Sequence, residues 1–158
     1  MAASPEVSAS RRELFALLEN VDTVKEFFAY LADDVRWTLH GRHPLAGQYR
    51  SKAELIPASI GQVLPLLSGG LRFHVKALHG DGPVSVVEMQ GVGVALDGVP
   101  YDPFYVWVCH FDSRGDTIVA VDAYLDSVVV TDILNRLAPR RYPDPAAPHT
   151  DAAGRVEG

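Results

Sequence analysis

The chain has 158 residues, 47% of them hydrophobic, which is the size and composition of one domain with a sizeable core. Fourteen Lys and Arg against twenty Asp and Glu leave a formal net charge of −6 with no basic cluster, which argues against nucleic acid as a partner. Apolar runs such as Val128–Val130 fall far short of the ~20 residues that span a bilayer. The start Met1–Glu6 lacks a leader pattern and the single Cys109 forms no internal disulfide, so no membrane span and a reducing, cytoplasmic location are expected.

Residues 1–9 read as a flexible N-terminus. Ser10 to Glu13 has capping-box spacing, and Leu14, Leu17 and Leu18 fall on one helical face behind it. Thr23 to Glu26 repeats that spacing, and Val24, Phe27, Phe28 and Leu31 form an amphipathic stripe that predicts a second helix ending near Ala32. A strand over Val35 to His40 and an irregular segment around Gly41 to Gly47 follow. A third box, Ser51–Glu54, opens a helix with Ile56, Ile60, Val63, Leu64 and Leu67 on its apolar face. Pro57 should kink or restart this helix, and Gly69-Gly70 should stop it.

From Leu71 the apolar period changes from 3.6 to 2. Leu71, Phe73, Val75 and Ala77 alternate with polar residues, Gly80 to Pro83 makes a turn, and Val84–Leu96, Phe104–Phe111 and Thr117–Asp126 read as further strands. Short turns between them predict antiparallel pairing. Val128 to Leu137 reads as a closing helix, and residues 138–158, with four prolines among small and polar residues, as a disordered tail. The expected architecture is α+β, with helices packed on a curved antiparallel sheet around an apolar pocket that suits a hydrophobic small molecule.

Gly91-Val92-Gly93 is a GxG, but no helix start follows it, so it marks a bend rather than a phosphate cradle. His40 with His43 and His74 with His79 lack the further ligands that a structural zinc site needs, and no metal is expected. Cys109 lies in an apolar strand and reads as a small core residue. Asp122 and Asp126 interrupt the apolar run Ile118 to Val130, where a carboxylate is costly without a partner. Asp126 reads either as a general base or as the cap of the last helix; Asp122 reads mainly as a solvent-facing or subunit-contact residue.

The ordered landmarks Ala32-Asp33-Asp34-Val35-Arg36-Trp37, Gly41 to Arg50, Tyr105-Val106-Trp107-Val108, Gly115-Asp116-Thr117-Ile118 and Asp122-Ala123-Tyr124-Leu125-Asp126 are similar to those of SnoaL-like proteins. These belong to the superfamily of nuclear transport factor 2, ketosteroid isomerase and limonene epoxide hydrolase. The resemblance covers about residues 10–137 and implies a cone-shaped α+β fold, a deep pocket, dimerisation through the outer sheet face and no cofactor. Carried over residue by residue, the isomerase tyrosine falls on Phe15, its base on Leu39 and its protonated aspartate on Trp107. The tyrosine and asparagine of the epoxide hydrolase fall on Trp37 and Leu39, its arginine and aspartate on Met89 and Gly91, and its last aspartate on Ala123, so neither set of working groups is present. Asp126 matches the acid/base aspartate of the SnoaL-type polyketide cyclases. The resemblance therefore implies a cofactor-independent cyclase or isomerase acting through Asp126 on a polyketide- or terpenoid-like substrate. Phe15, Trp37, Leu39, Met89, Tyr105 and Trp107 are its expected substrate-binding residues. The alternative is a non-catalytic apolar-ligand-binding or scaffold protein of the same fold.

Overall fold

A computed structural model describes residues 2–3 and 7–138. Among these, helices α1 (Ala9–Ala16), α2 (Val24–Phe28), α3 (Lys52–Ala58), α4 (Ile60–Val63) and α5 (Ser127–Leu137) accompany eight strands. The strands are β1 (Ala2–Ala3), β2 (Leu31–Leu39), β3 (Gly47–Tyr49), β4 (Leu67–His79), β5 (Val84–Ala95), β6 (Pro100–Tyr101), β7 (Phe104–Phe111) and β8 (Ile118–Leu125). They form one open sheet in the order β1-β4-β5-β7-β8-β2-β3, with β6 beside β5. The hairpin partners β4/β5, β5/β7 and β7/β8 are antiparallel, as the short turns predict. The sheet as a whole is mixed rather than wholly antiparallel, because β2 lies parallel to β8 and β1 parallel to β4.

Local signals hold where the chain is left to its own preferences. The Ser51 hydroxyl accepts from the Glu54 N–H at 3.1 Å and starts α3, as its box predicts. Pro57 and the irregular Ser59 backbone (φ −118°, ψ −94°) break the third helical segment into α3 and α4. The cap of α1 is Ser8 rather than Ser10; its hydroxyl accepts from the Arg11 N–H.

Tertiary pairing overrides the local pattern elsewhere. The second helix ends at Phe28 instead of Ala32 because Leu31 enters β2 opposite Ile118, where both are buried. Gly69 and Gly70 do not stop a helix: they lie inside β4 at positive φ (84° and 86°), where the register to β5 shifts. A Cβ on Gly70 would come within 2.8 Å of the Val21 side chain, so the bend needs glycine there. The stretch expected to be a flexible N-terminus supplies β1 and the buried Val7. The expectation of a disordered tail falls on residues 139–158, outside the described residues.

Alternation along β7 is strict: Tyr105, Trp107, Cys109 and Phe111 are buried while Val106, Val108 and His110 are half-buried on the other face. Cys109 is wholly buried and its thiol pKa is pushed up by desolvation, which makes it a packing residue. The inner face of β7 meets the helices through a chain of aromatic rings. Trp37 and Trp107 meet edge-on at 4.9 Å between centroids, Trp107 packs on Phe27 at 5.8 Å, and Phe27 on Phe15 at 5.6 Å. Burying rings of this size contributes roughly 1.5–3 kcal/mol each. The result is a rigid wall for the space in front of it.

Candidate functional site

That space is an apolar cavity of about 70 Å³ between sheet and helices. Its sheet wall carries Trp37 and Leu39 from β2, Leu71 and Phe73 from β4, and Tyr105 and Trp107 from β7; its helix wall carries Phe28, Leu55, Ile60 and Val63. Tyr101, Leu125, Val130 and the loop residues His43 and Leu45 complete the lining with Ser59. Four of the expected substrate-binding residues, Trp37, Leu39, Tyr105 and Trp107, therefore meet at one cavity.

The other expected residues lie elsewhere. Phe15 is fully buried but backs Phe27 instead of facing the cavity. Met89 is buried opposite Tyr105 in the β5/β7 register and is also absent from the lining. Asp126 is exposed, outside the cavity, and its carboxylate makes no capping hydrogen bond to α5 although it occupies the N-cap position. The period of β8 explains this. Val121, Ala123 and Leu125 face inward, so Asp122, Tyr124 and Asp126 share the opposite parity. Neither the base nor the cap expected of Asp126 is formed in this conformation.

The polar groups that do line the cavity are His43, Ser59, Tyr101 and Tyr105. His43 Nδ1 accepts from the Leu45 N–H and its Nε2–H donates to the His40 carbonyl, both at 3.2 Å. A carbonyl only accepts, so the imidazole is the neutral Nε2–H tautomer, and burial holds its pKa below the ordinary histidine value. The Ser59 hydroxyl donates to the Leu55 carbonyl at 2.6 Å. The Tyr101 and Tyr105 hydroxyls lie 3.0 Å apart in a buried pair. Desolvation raises the Tyr101 pKa to about 12 and holds that of Tyr105 well above the ordinary tyrosine value, so both phenols stay protonated.

Sequence reasoning missed Tyr101, His43 and Ser59. Only Tyr101 carried a usable signal: it precedes Tyr105 by four residues, an even number, which in extended chain puts both on one face. Gly91 belongs to the same arrangement. It faces Phe73 across the β4/β5 ladder, and a Cβ there would reach 3.2 Å from Pro103 and 3.3 Å from the Tyr105 ring. Its smallness therefore seats the Tyr105 ring, whereas the bends of the ladder arise at register shifts on β4.

On the outer face, Asp122 bridges His40 at 2.8 Å and His110 at 3.7 Å, and the His40 ring stacks on Tyr124 at 4.4 Å. Among the described residues no group of three or more His, Cys, Asp or Glu is arranged to hold a metal ion, and no helix is long and apolar enough to cross a membrane.

No family model and no curated protein matches the chain. Solved structures do. An NTF2-like protein from Burkholderia thailandensis aligns at 20% identity over 77% of this chain and 96% of its own, with a TM-score of 0.59. PrhC from Penicillium brasilianum aligns at 12% identity over 84% and 93%, with a TM-score of 0.64. This chain has the NTF2-like fold. TerC, co-crystallised with polyporic acid, shares that NTF2-like fold at 17% identity over 77% of this chain and 92% of its own, with a TM-score of 0.60. At these identities the likeness extends to the NTF2-like architecture and stops short of activity.

Proposed function

We propose that this protein binds a small, apolar ring compound in the cavity between its helices and its sheet. The observation that carries this reading is the composition of the wall: two tryptophans, two phenylalanines, two tyrosines and aliphatic residues with His43 and Ser59, and no carboxylate, lysine or arginine among the described residues. A site of that kind excludes charge and favours flat apolar surface. The co-crystallisation of TerC, which shares this fold, with polyporic acid supports a small-molecule role.

Size limits the ligand. The cavity of about 70 Å³ is smaller than the ~150 Å³ engineered apolar cavity that takes up benzene, so a ring enters only as the mouth side chains move. Room for that movement lies next door. An apolar groove on the helix side, lined by Val21, Val24, Ile56 and Leu64, shares Phe28, Ile60 and Leu71 with the cavity. A polyketide- or terpenoid-sized substrate would occupy both spaces.

A second reading is supported by one observation. Leu125 and Val130 line the cavity and flank Asp126 in sequence, so the carboxylate sits close along the chain to the cavity lining. A cofactor-independent cyclase or isomerase using Asp126 requires the start of α5 to turn that carboxylate inward around a bound substrate. Proton transfer by a positioned carboxylate contributes about 10²–10⁴-fold in rate.

Native mass spectrometry of the protein from expressing cells, followed by organic extraction, tests the primary reading. The expected result is a stoichiometric apolar compound that is lost in Leu39→Trp, whose larger side chain fills the cavity. Equal retention by Leu39→Trp would place the compound elsewhere and overturn the reading.

A further inference from the structure

We propose that the Tyr101–Tyr105 hydroxyl pair docks one neutral oxygen acceptor, typically a ketone carbonyl, carried on the apolar ring that fills the cavity. The proposal rests on the ligand-binding reading above and adds the chemical class of the ligand. It follows from counting hydrogen-bonding capacity. Two phenols bring two protons, and their mutual hydrogen bond at 3.0 Å uses one of them. Among the described residues the second proton meets no protein acceptor, yet both rings are buried and line the cavity. A phenolic proton left unpaired in a dry site is costly, and a ligand oxygen in the cavity is the partner that geometry offers.

The other polar groups of the lining have no proton to give. The His43 Nε2–H is held by the His40 carbonyl and its Nδ1 by the Leu45 N–H, while the Ser59 hydroxyl proton is held by the Leu55 carbonyl. Among the described residues no cationic side chain lines the cavity, which favours a neutral acceptor over a carboxylate or phosphate. Raised phenol pKa values fit the same role, since both tyrosines remain donors across the physiological range. Hydrogen bonding between the phenols also strengthens the free donor, because an O–H that accepts a hydrogen bond polarises its own proton. Gly91 and Phe73 keep the Tyr105 ring in place, the latter edge-on at 5.1 Å, so the donor is positioned before a ligand arrives.

The test compares two probes of nearly equal shape, cyclohexanone and methylenecyclohexane, titrated against the fluorescence of Trp37 and Trp107. Either single tyrosine variant leaves one hydroxyl able to donate, so the informative protein is the double variant Tyr101→Phe/Tyr105→Phe, which keeps both rings. Cyclohexanone affinity should fall roughly five- to tenfold in the double variant while methylenecyclohexane changes less than about twofold. Equal shifts for the two probes would overturn the carbonyl assignment while leaving the apolar site standing. Binding of neither probe to the unaltered protein would overturn both. Should the double variant fold poorly, the infrared carbonyl stretch of cyclohexanone bound to the unaltered protein decides: it should lie at lower wavenumber than in hexane, as a hydrogen-bonded carbonyl does, and an unshifted stretch contradicts the proposal.

Discussion

Asp126 and His43 exchange the roles that residue type alone suggests. The aspartate interrupts an apolar run, yet it stands in solvent without a capping bond, whereas the histidine, which the sequence offers only as half of an incomplete metal pair, lies buried at the cavity. Asp126→Asn is therefore expected to change stability by less than about 0.5 kcal/mol, as for a surface substitution outside any bonded network. A urea midpoint checks this, and a clear loss would mean that the carboxylate does support α5. For His43 the sign follows from its depressed pKa. The unfolded chain, titrating near 6.5, binds a proton that the folded form resists, so stability is complete above about pH 7 and falls as the pH drops below the unfolded value. Melting temperatures between pH 5 and 7.5 should rise with pH, and His43→Gln should flatten part of that slope. Identical slopes would show that another group sets it.

At the scale of elements, α1 is held by one buried cation. The Arg11 guanidinium donates to the Ser85 hydroxyl at 2.7 Å and to the carbonyls of Gly82 and Gly115, and lies 3.6 Å over the Phe111 ring. It thereby joins the helix to the turns before β5 and β8. Arg11→Ala should cost about 1–3 kcal/mol, since it leaves the buried Ser85 hydroxyl without its donor and removes a stacked surface. Chemical denaturation would detect this readily, and a change within error would mean that water replaces the guanidinium at no cost. Elements also mark how far sequence reading reaches. Strands β4, β5, β7 and β8 and the Ser51 helix were legible because their periods and caps are set locally. The parallel β2/β8 pair and the start of β2 at Leu31 were not, because each exists only through a partner distant in sequence, and the two-residue β6 that carries Tyr101, although paired with nearby Gly93 and Val94, is too short to show a period. For the site, Trp37, Leu39, Tyr105 and Trp107 were legible from strand and resemblance together. His43 and Ser59 come from a loop and a helix break, which carry no periodicity.

For the whole molecule, the outer sheet face remains to be covered. Val86, Val106 and Val108 are half-buried across neighbouring strands there, with Phe104 and Tyr124 at 53% and 48% exposure beside them. Helices occupy the other face, and an apolar patch of this kind favours a second copy of the chain in an isologous pair. Light scattering at tens of micromolar should give a homodimer that Phe104→Glu shifts to monomer without lowering the cavity's ligand affinity. A monomeric unaltered protein would contradict it.

The claim on which the rest depends is that the cavity walled by Trp37, Tyr105 and Trp107 takes up an apolar ring. A crystal exposed to bromobenzene tests it most directly, because the anomalous signal of bromine locates the ring without reference to any assay. The predicted result is one occupied position among these three side chains, with Phe28 and Ile60, which the cavity shares with the helix-side groove, displaced toward that groove. Bromine found only on the outer sheet face, with the cavity unchanged, would contradict the account.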